Sequence, residues 1–116
     1  CILRVTARKR AGHEWGVHVA YFGRSCGLTP SQIEATATDA DCVPAWSERQ
    51  RAILVLTDAV ADCRELSAAD AQRVATALAP SERVEFVALA SLYLGIAAMC
   101  RVLEVPLEPG TPALPA

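Results

Sequence analysis

A run of fifteen residues without a charge, Phe86 to Cys100 (F-V-A-L-A-S-L-Y-L-G-I-A-A-M-C), constrains this chain more than any other feature. A membrane span needs roughly twenty apolar residues, so the run predicts a buried helix of a soluble protein. A helix that is apolar on every side must be covered by other helices or by a second subunit, because a surface helix keeps one polar face. Ser81 reads as its N-cap, Glu82 and Glu85 suit the positive end of its dipole, and Arg101 suits the negative end. Pro106 and the Pro-rich residues beyond it stop the helix.

With 116 residues the chain is expected to be one domain, and a helix apolar all round is a heavy load for a core of that size. Oligomerisation is the natural relief. Hydrophobic residues make up 53% and aromatics only 5%, and the excess lies in Ala, Leu and Val, which favours helix. A net charge of -2 supplies no field for nucleic acid. The one basic cluster, Arg4, Arg8, Lys9 and Arg10, reads as outward-facing cations at a helix C-terminus. Five cysteines at wide spacings, Cys1, Cys26, Cys42, Cys63 and Cys100, form neither a C-x-x-C pair nor a zinc pattern. They are expected to be free thiols of a cytoplasmic protein. The chain opens without Met inside a helical pattern, so a preceding segment is expected.

The punctuation predicts an all-α, compact bundle of about six helices. The first ends near Arg10, with Ile2, Leu3 and Val5 inward. The second runs from about His13 to Cys26 and stops at Gly27. Thr29, Pro30 and Gln32 open a short third helix through a capping box with Pro at the first helical position. A loop then carries Asp39, Asp41 and Cys42. Ser47 with Gln50 opens a fourth helix to about Arg64, with Ile53, Leu54, Leu56, Val60 and Ala61 inward. Asp58 and Asp62 share a face with Arg51 and read as solvated. Ser67 with Asp70 opens a fifth, carrying Ala71, Val74, Ala75 and Leu78. No segment alternates with period two, so no strand is predicted. The domain is expected over residues 1–108, with a Pro-rich tail at 109–116 that is extended.

Chemistry concentrates in the second helix, H-E-W-G-V-H-V-A-Y-F-G-R-S-C. At about 100° per residue, Glu14, His18, Tyr21 and Ser25 fall on one stripe, and Trp15, Val19, Phe22 and Cys26 on the apolar stripe beside it. Gly16, Ala20 and Gly23 form a third, small enough for another helix to approach closely. In a cleft, Glu14 could orient His18 for proton transfer near neutral pH. On an exposed face the same pair would be an ordinary i, i+4 contact. Tyr93 in the apolar run reads as a buried phenol with one hydrogen-bond partner.

The order H-E-W-G-V-H-V-A-Y-F-G-R-S-C-G-L-T-P-S-Q-I-E-A, then W-S-E-R-Q-R-A-I-L-V-L-T-D-A-V, then the apolar helix and V-P-L-E, resembles the carboxymuconolactone decarboxylase-like family over about residues 2 to 108. The resemblance implies an alkylhydroperoxidase D-like fold, assembly as a homotrimer or homohexamer, and a site at the second helix. It also implies no metal and no organic cofactor; the net charge and the length of the apolar run already argue against nucleic acid and membrane as partners. The family's peroxidase branch carries C-x-x-C-x-x-x-H, and aligned on His18 those two thiols are replaced by Ala11 and Glu14. The decarboxylase branch has E-x-x-x-H, which Glu14 and His18 match. The implied activity is acid/base catalysis on a small carboxylated, lactone-type substrate. His18 would move the proton, Glu14 would orient it, and Tyr21, Trp15 and Arg24 would bind. Arg4, Arg8 or a partner's Arg24 are the expected cations for the substrate's carboxylate. Peroxidase chemistry on a single thiol, Cys26, and a non-catalytic oligomer are the alternatives.

Overall fold

Two reciprocal capping boxes fix where the first half of the chain enters its helices. Thr29 Oγ1 accepts the Gln32 N–H at 3.2 Å while Gln32 Oε1 accepts the Thr29 N–H at 3.0 Å. Ser47 and Gln50 repeat the exchange at 3.2 and 2.9 Å. Each box satisfies two donors that a helix start leaves unpaired. The computed structural model describes residues 1–38 and 46–116, and these form six helices and no strand. They are α1 (Ile2–Arg8), α2 (Gly12–Phe22), α3 (Pro30–Ala35), α4 (Glu48–Ala61), α5 (Ala68–Ala77) and α6 (Pro80–Val102). The loop expected around Asp39, Asp41 and Cys42 lies outside the described residues.

The all-helical bundle agrees with the sequence expectation. Individual ends differ. The second helix closes at Phe22 in place of Cys26, although Gly27 does take the left-handed backbone, φ 70°, foreseen for it. α6 is flanked by Ala79, with Pro80 at its first position, and Ser81 sits inside the first turn. Glu82 does the capping instead, accepting the Ala79 N–H at 2.8 Å and pairing with Arg49 at 2.6 Å.

Of the basic cluster, Arg8 and Arg10 are exposed as expected, and Arg4 overturns its expected place. Arg4 is buried, and its guanidinium grips both oxygens of Asp58 at 2.7 and 3.0 Å. Its remaining donors reach the carbonyls of Thr36, at 3.3 Å, and Thr38. One turn on, Arg8 meets Asp62 at 2.6 Å and lies 3.6 Å from Asp58. Asp58 and Asp62 are therefore the partners of α1; Asp62 stays exposed as expected, and Asp58 is partly buried against Arg4. Both pairs are 54 positions apart, so α1 and α4 run in the same direction along this seam. Around the seam, Leu3, Ala7 and Trp15 form one apolar cluster, Ala52, Leu56, Val74 and Leu78 a second, and Ala35, Trp46 and Leu54 a third.

α6 departs most from expectation. Only Ala90 and Ala97 of its 23 residues are buried. Its inner face, with Phe86, Leu89, Tyr93 and Cys100, lies against the bundle. The opposite face, Val84, Ala88, Ser91, Leu92, Gly95, Ala98, Met99 and Val102, is exposed, with Leu92 at 59%, Met99 at 57% and Val102 at 81%. The helix is apolar on both sides, and the other five helices cover only one. By length and composition alone it could also cross a membrane.

The tail is not loose. It folds back over α2, where Leu114 joins the Trp15 cluster, Arg10 Nη1 donates to the Pro115 carbonyl at 3.0 Å, and His13 Nδ1 donates to that of Pro106 at 2.6 Å. What approaches Gly16 is this strap and not a helix: a Cβ there would stand 2.6 Å from the Pro112 carbonyl oxygen.

Removing one partner of a buried ion pair strands the other, so Arg4→Met should destabilise the fold by about 3 kcal/mol in urea unfolding. Adding Asp58→Leu should recover part of that loss, because it removes the stranded carboxylate.

Candidate functional site

His18 is held at both ring nitrogens. Nδ1 lies 2.9 Å from the Glu14 carbonyl oxygen one turn back, and Nε2 lies 3.1 Å from the Tyr93 hydroxyl on α6. A carbonyl can only accept, so Nδ1 carries the proton and Nε2 presents a lone pair to the phenol O–H. The two rings meet edge to face, centroids 5.1 Å apart at 88°. The Glu14 carboxylate stands 3.5 Å from Nδ1. Its other oxygen accepts the Cys100 thiol at 3.8 Å. Glu14 thus orients His18 chiefly through its backbone, and its side chain ties α2 to α6.

His18 and Tyr93 stand in the wall of a cavity of about 510 Å³ among α1, α2, α4 and α6. Ile2, Leu28, Ile53, Leu54 and Leu89 supply most of the surface, with Phe22 at the lip. Cys1, Cys26, Thr36, Trp46 and Gln50 add polar or polarisable atoms, and no charged residue is among the described residues that line it. The Trp46 indole nitrogen is buried without a hydrogen-bond partner. Among the described residues no three His, Cys, Asp or Glu side chains converge as metal ligands would.

The expected binding residues are distributed differently. Trp15 is core, its indole N–H donating to Thr36 Oγ1 at 3.1 Å. Tyr21, 65% exposed, and Arg24, also exposed, stand outside the cavity wall, to which α2 contributes His18 and Phe22. Arg4 is engaged by Asp58 and Arg8 by Asp62, so neither serves the cavity as a cation. Cys26 does line it. The residue that sequence reasoning undervalued is Tyr93. Its single partner was foreseen, and a hydroxyl at the centre of an apolar helix was the available sign, but nothing in the spacing paired it with His18.

Compared with protein-family models, with curated proteins and with solved structures, the chain gives no match.

Partial burial first, then the Glu14 carboxylate and its hydrogen bond, push the Cys100 thiol above its ordinary pKa. The thiol therefore stays protonated to higher pH than a free one. Alkylation of Cys100 by iodoacetamide, followed by mass spectrometry, should rise only at correspondingly alkaline pH. In Glu14→Gln the profile should move toward lower pH, since the negative charge beside the thiol is gone.

Proposed function

We propose that this protein is a cofactor-free acid/base enzyme of the carboxymuconolactone decarboxylase-like kind, acting on a small molecule through Tyr93 and His18. The observation that carries the proposal is the hydrogen-bonded pair at the cavity wall, 3.1 Å from phenol oxygen to Nε2, with Nδ1 anchored on the Glu14 carbonyl. In the base direction a substrate C–H proton passes to the Tyr93 oxygen while the phenol proton moves to Nε2. The imidazolium so formed keeps its Nδ1–H on the carbonyl and gains the nearby Glu14 carboxylate as counter-charge. In the acid direction the same groups return a proton to a carbanion, as isomerisation of an enol lactone requires. The relay needs neither metal nor organic cofactor.

Cys26 in the same wall supports a second reading, in which its thiolate attacks a peroxide and an external thiol reduces the resulting sulfenic acid. The two readings separate cleanly. A relay enzyme loses turnover with Tyr93→Phe and keeps it with Cys26→Ala, and a thiol peroxidase does the reverse. Isomerisation of α-angelica lactone, followed by absorbance, should slow about a hundredfold or more in His18→Ala and in Tyr93→Phe. Wild-type rates in both variants, or no turnover above buffer in the parent, would refute the relay.

The assembly proposed is a homo-oligomer of a cytoplasmic protein, joined through the exposed face of α6. Ala88, Ser91, Gly95 and Ala98 place small residues along that face at spacings that let two helices approach closely, with Leu92 and Met99 beside them. Sedimentation at micromolar concentration should give a trimer or a multiple of it, and Leu92→Glu should give folded monomer. A parent chain that sediments as monomer, or that co-sediments with lipid vesicles through α6, would count against this assembly.

A further inference from the structure

We infer that the cavity takes a neutral, largely apolar molecule carrying a single hydrogen-bond-accepting oxygen, and that it discriminates against carboxylates. The inference rests on the acid/base reading only for where the oxygen sits. Its first support is the wall. Ile2, Leu28, Ile53, Leu54 and Leu89 help to line an open-mouthed volume of about 510 Å³, within the range that holds a small organic molecule, and no Asp, Glu, Lys or Arg stands among the described lining residues. A carboxylate entering there would lose hydration and meet no Arg or Lys among the described lining residues. The arginines nearest in the fold do not help: Arg4 is buried in its bidentate pair with Asp58. Among the described lining residues no Arg or Lys offsets a buried negative charge.

The second support is an unmet donor. Trp46 lines the same cavity, and its indole N–H is buried with no acceptor, a condition that costs free energy until one arrives. Tyr93 adds a hydroxyl whose proton is directed to His18, leaving its oxygen open to a second hydrogen bond. The site therefore offers one unmet donor, the Trp46 N–H, for a neutral ligand oxygen, and one acceptor, the Tyr93 oxygen, for a ligand O–H such as a phenol's. A ring with one such oxygen matches it, and a dicarboxylate does not.

The test titrates the full chain at neutral pH with para-propylphenol and para-propylbenzoate, which share size and shape and differ in charge. Calorimetry should give at least about tenfold tighter binding of the phenol. Its binding should also change the tryptophan fluorescence, and Trp46→Phe should remove that change, because Trp15 is held in the core. Leu89→Phe, which fills the cavity from a partly exposed position, should weaken the phenol by about tenfold or more. Equal or tighter binding of the benzoate overturns the inference, as does the absence of phenol binding or phenol binding indifferent to both variants. Failure of the relay would look different. Selective phenol binding with lactone turnover unaffected by His18→Ala and Tyr93→Phe would sink the acid/base reading and leave the ligand class standing. Lost selectivity with turnover still dependent on Tyr93 would do the opposite.

Discussion

The guanidinium of Arg4 is the point on which this fold depends. It sits where α1, α4 and the end of α3 meet, and it fastens all three by forked bonds to Asp58 and by carbonyls at Thr36 and Thr38. A buried charge of this kind is costly unless every donor is satisfied, and here the carboxylate and two backbone oxygens share the task. The arrangement sets register as well as proximity, since Arg8 and Asp62 repeat it one turn further along. With α1 fixed against α4, Ile2 and Leu3 stand opposite Ile53 and Leu54, and the space between them and α6 becomes the cavity.

Within that frame the site is made by two helices that do little else together. α2 brings His18 with its ring already oriented by its own backbone, and α6 brings Tyr93 to meet the free nitrogen. Imidazole, phenol and carboxylate form a short chain running from the cavity wall to Cys100, with charge available at one end and an apolar chamber at the other. Such a chain suits proton movement in a place of low polarity, where a small electrostatic bias has a large effect.

Much of the fold was legible in the sequence because helix starts are written locally. Thr29 with Gln32, Ser47 with Gln50 and Ser67 with Asp70 each mark a helix that forms where they stand. The placement of charges was not legible, because Arg4 and Asp58 look identical to solvated residues until two helices are aligned. The same limit hid Tyr93. A helical stripe shows which residues of one helix share a face, and it is silent on which other helix faces it. Tyr21, on the polar stripe with His18, therefore seemed the natural companion, whereas the actual phenol comes from 75 positions away. The apolar run misled in the other direction, since composition shows what must be covered and leaves open whether this chain covers it.

One consequence follows from α6 having both an inner and an outer face. Leu92 adjoins Tyr93 on this helix and Met99 lies less than two turns beyond it, so a roll of α6 about its axis would move all three together. The hydroxyl's alignment with the imidazole then becomes a function of what is seated against the outer surface, and a slight roll of the axis would lengthen a contact now at 3.1 Å. Quaternary structure and proton conduction would in that case be two readings of one torsional coordinate.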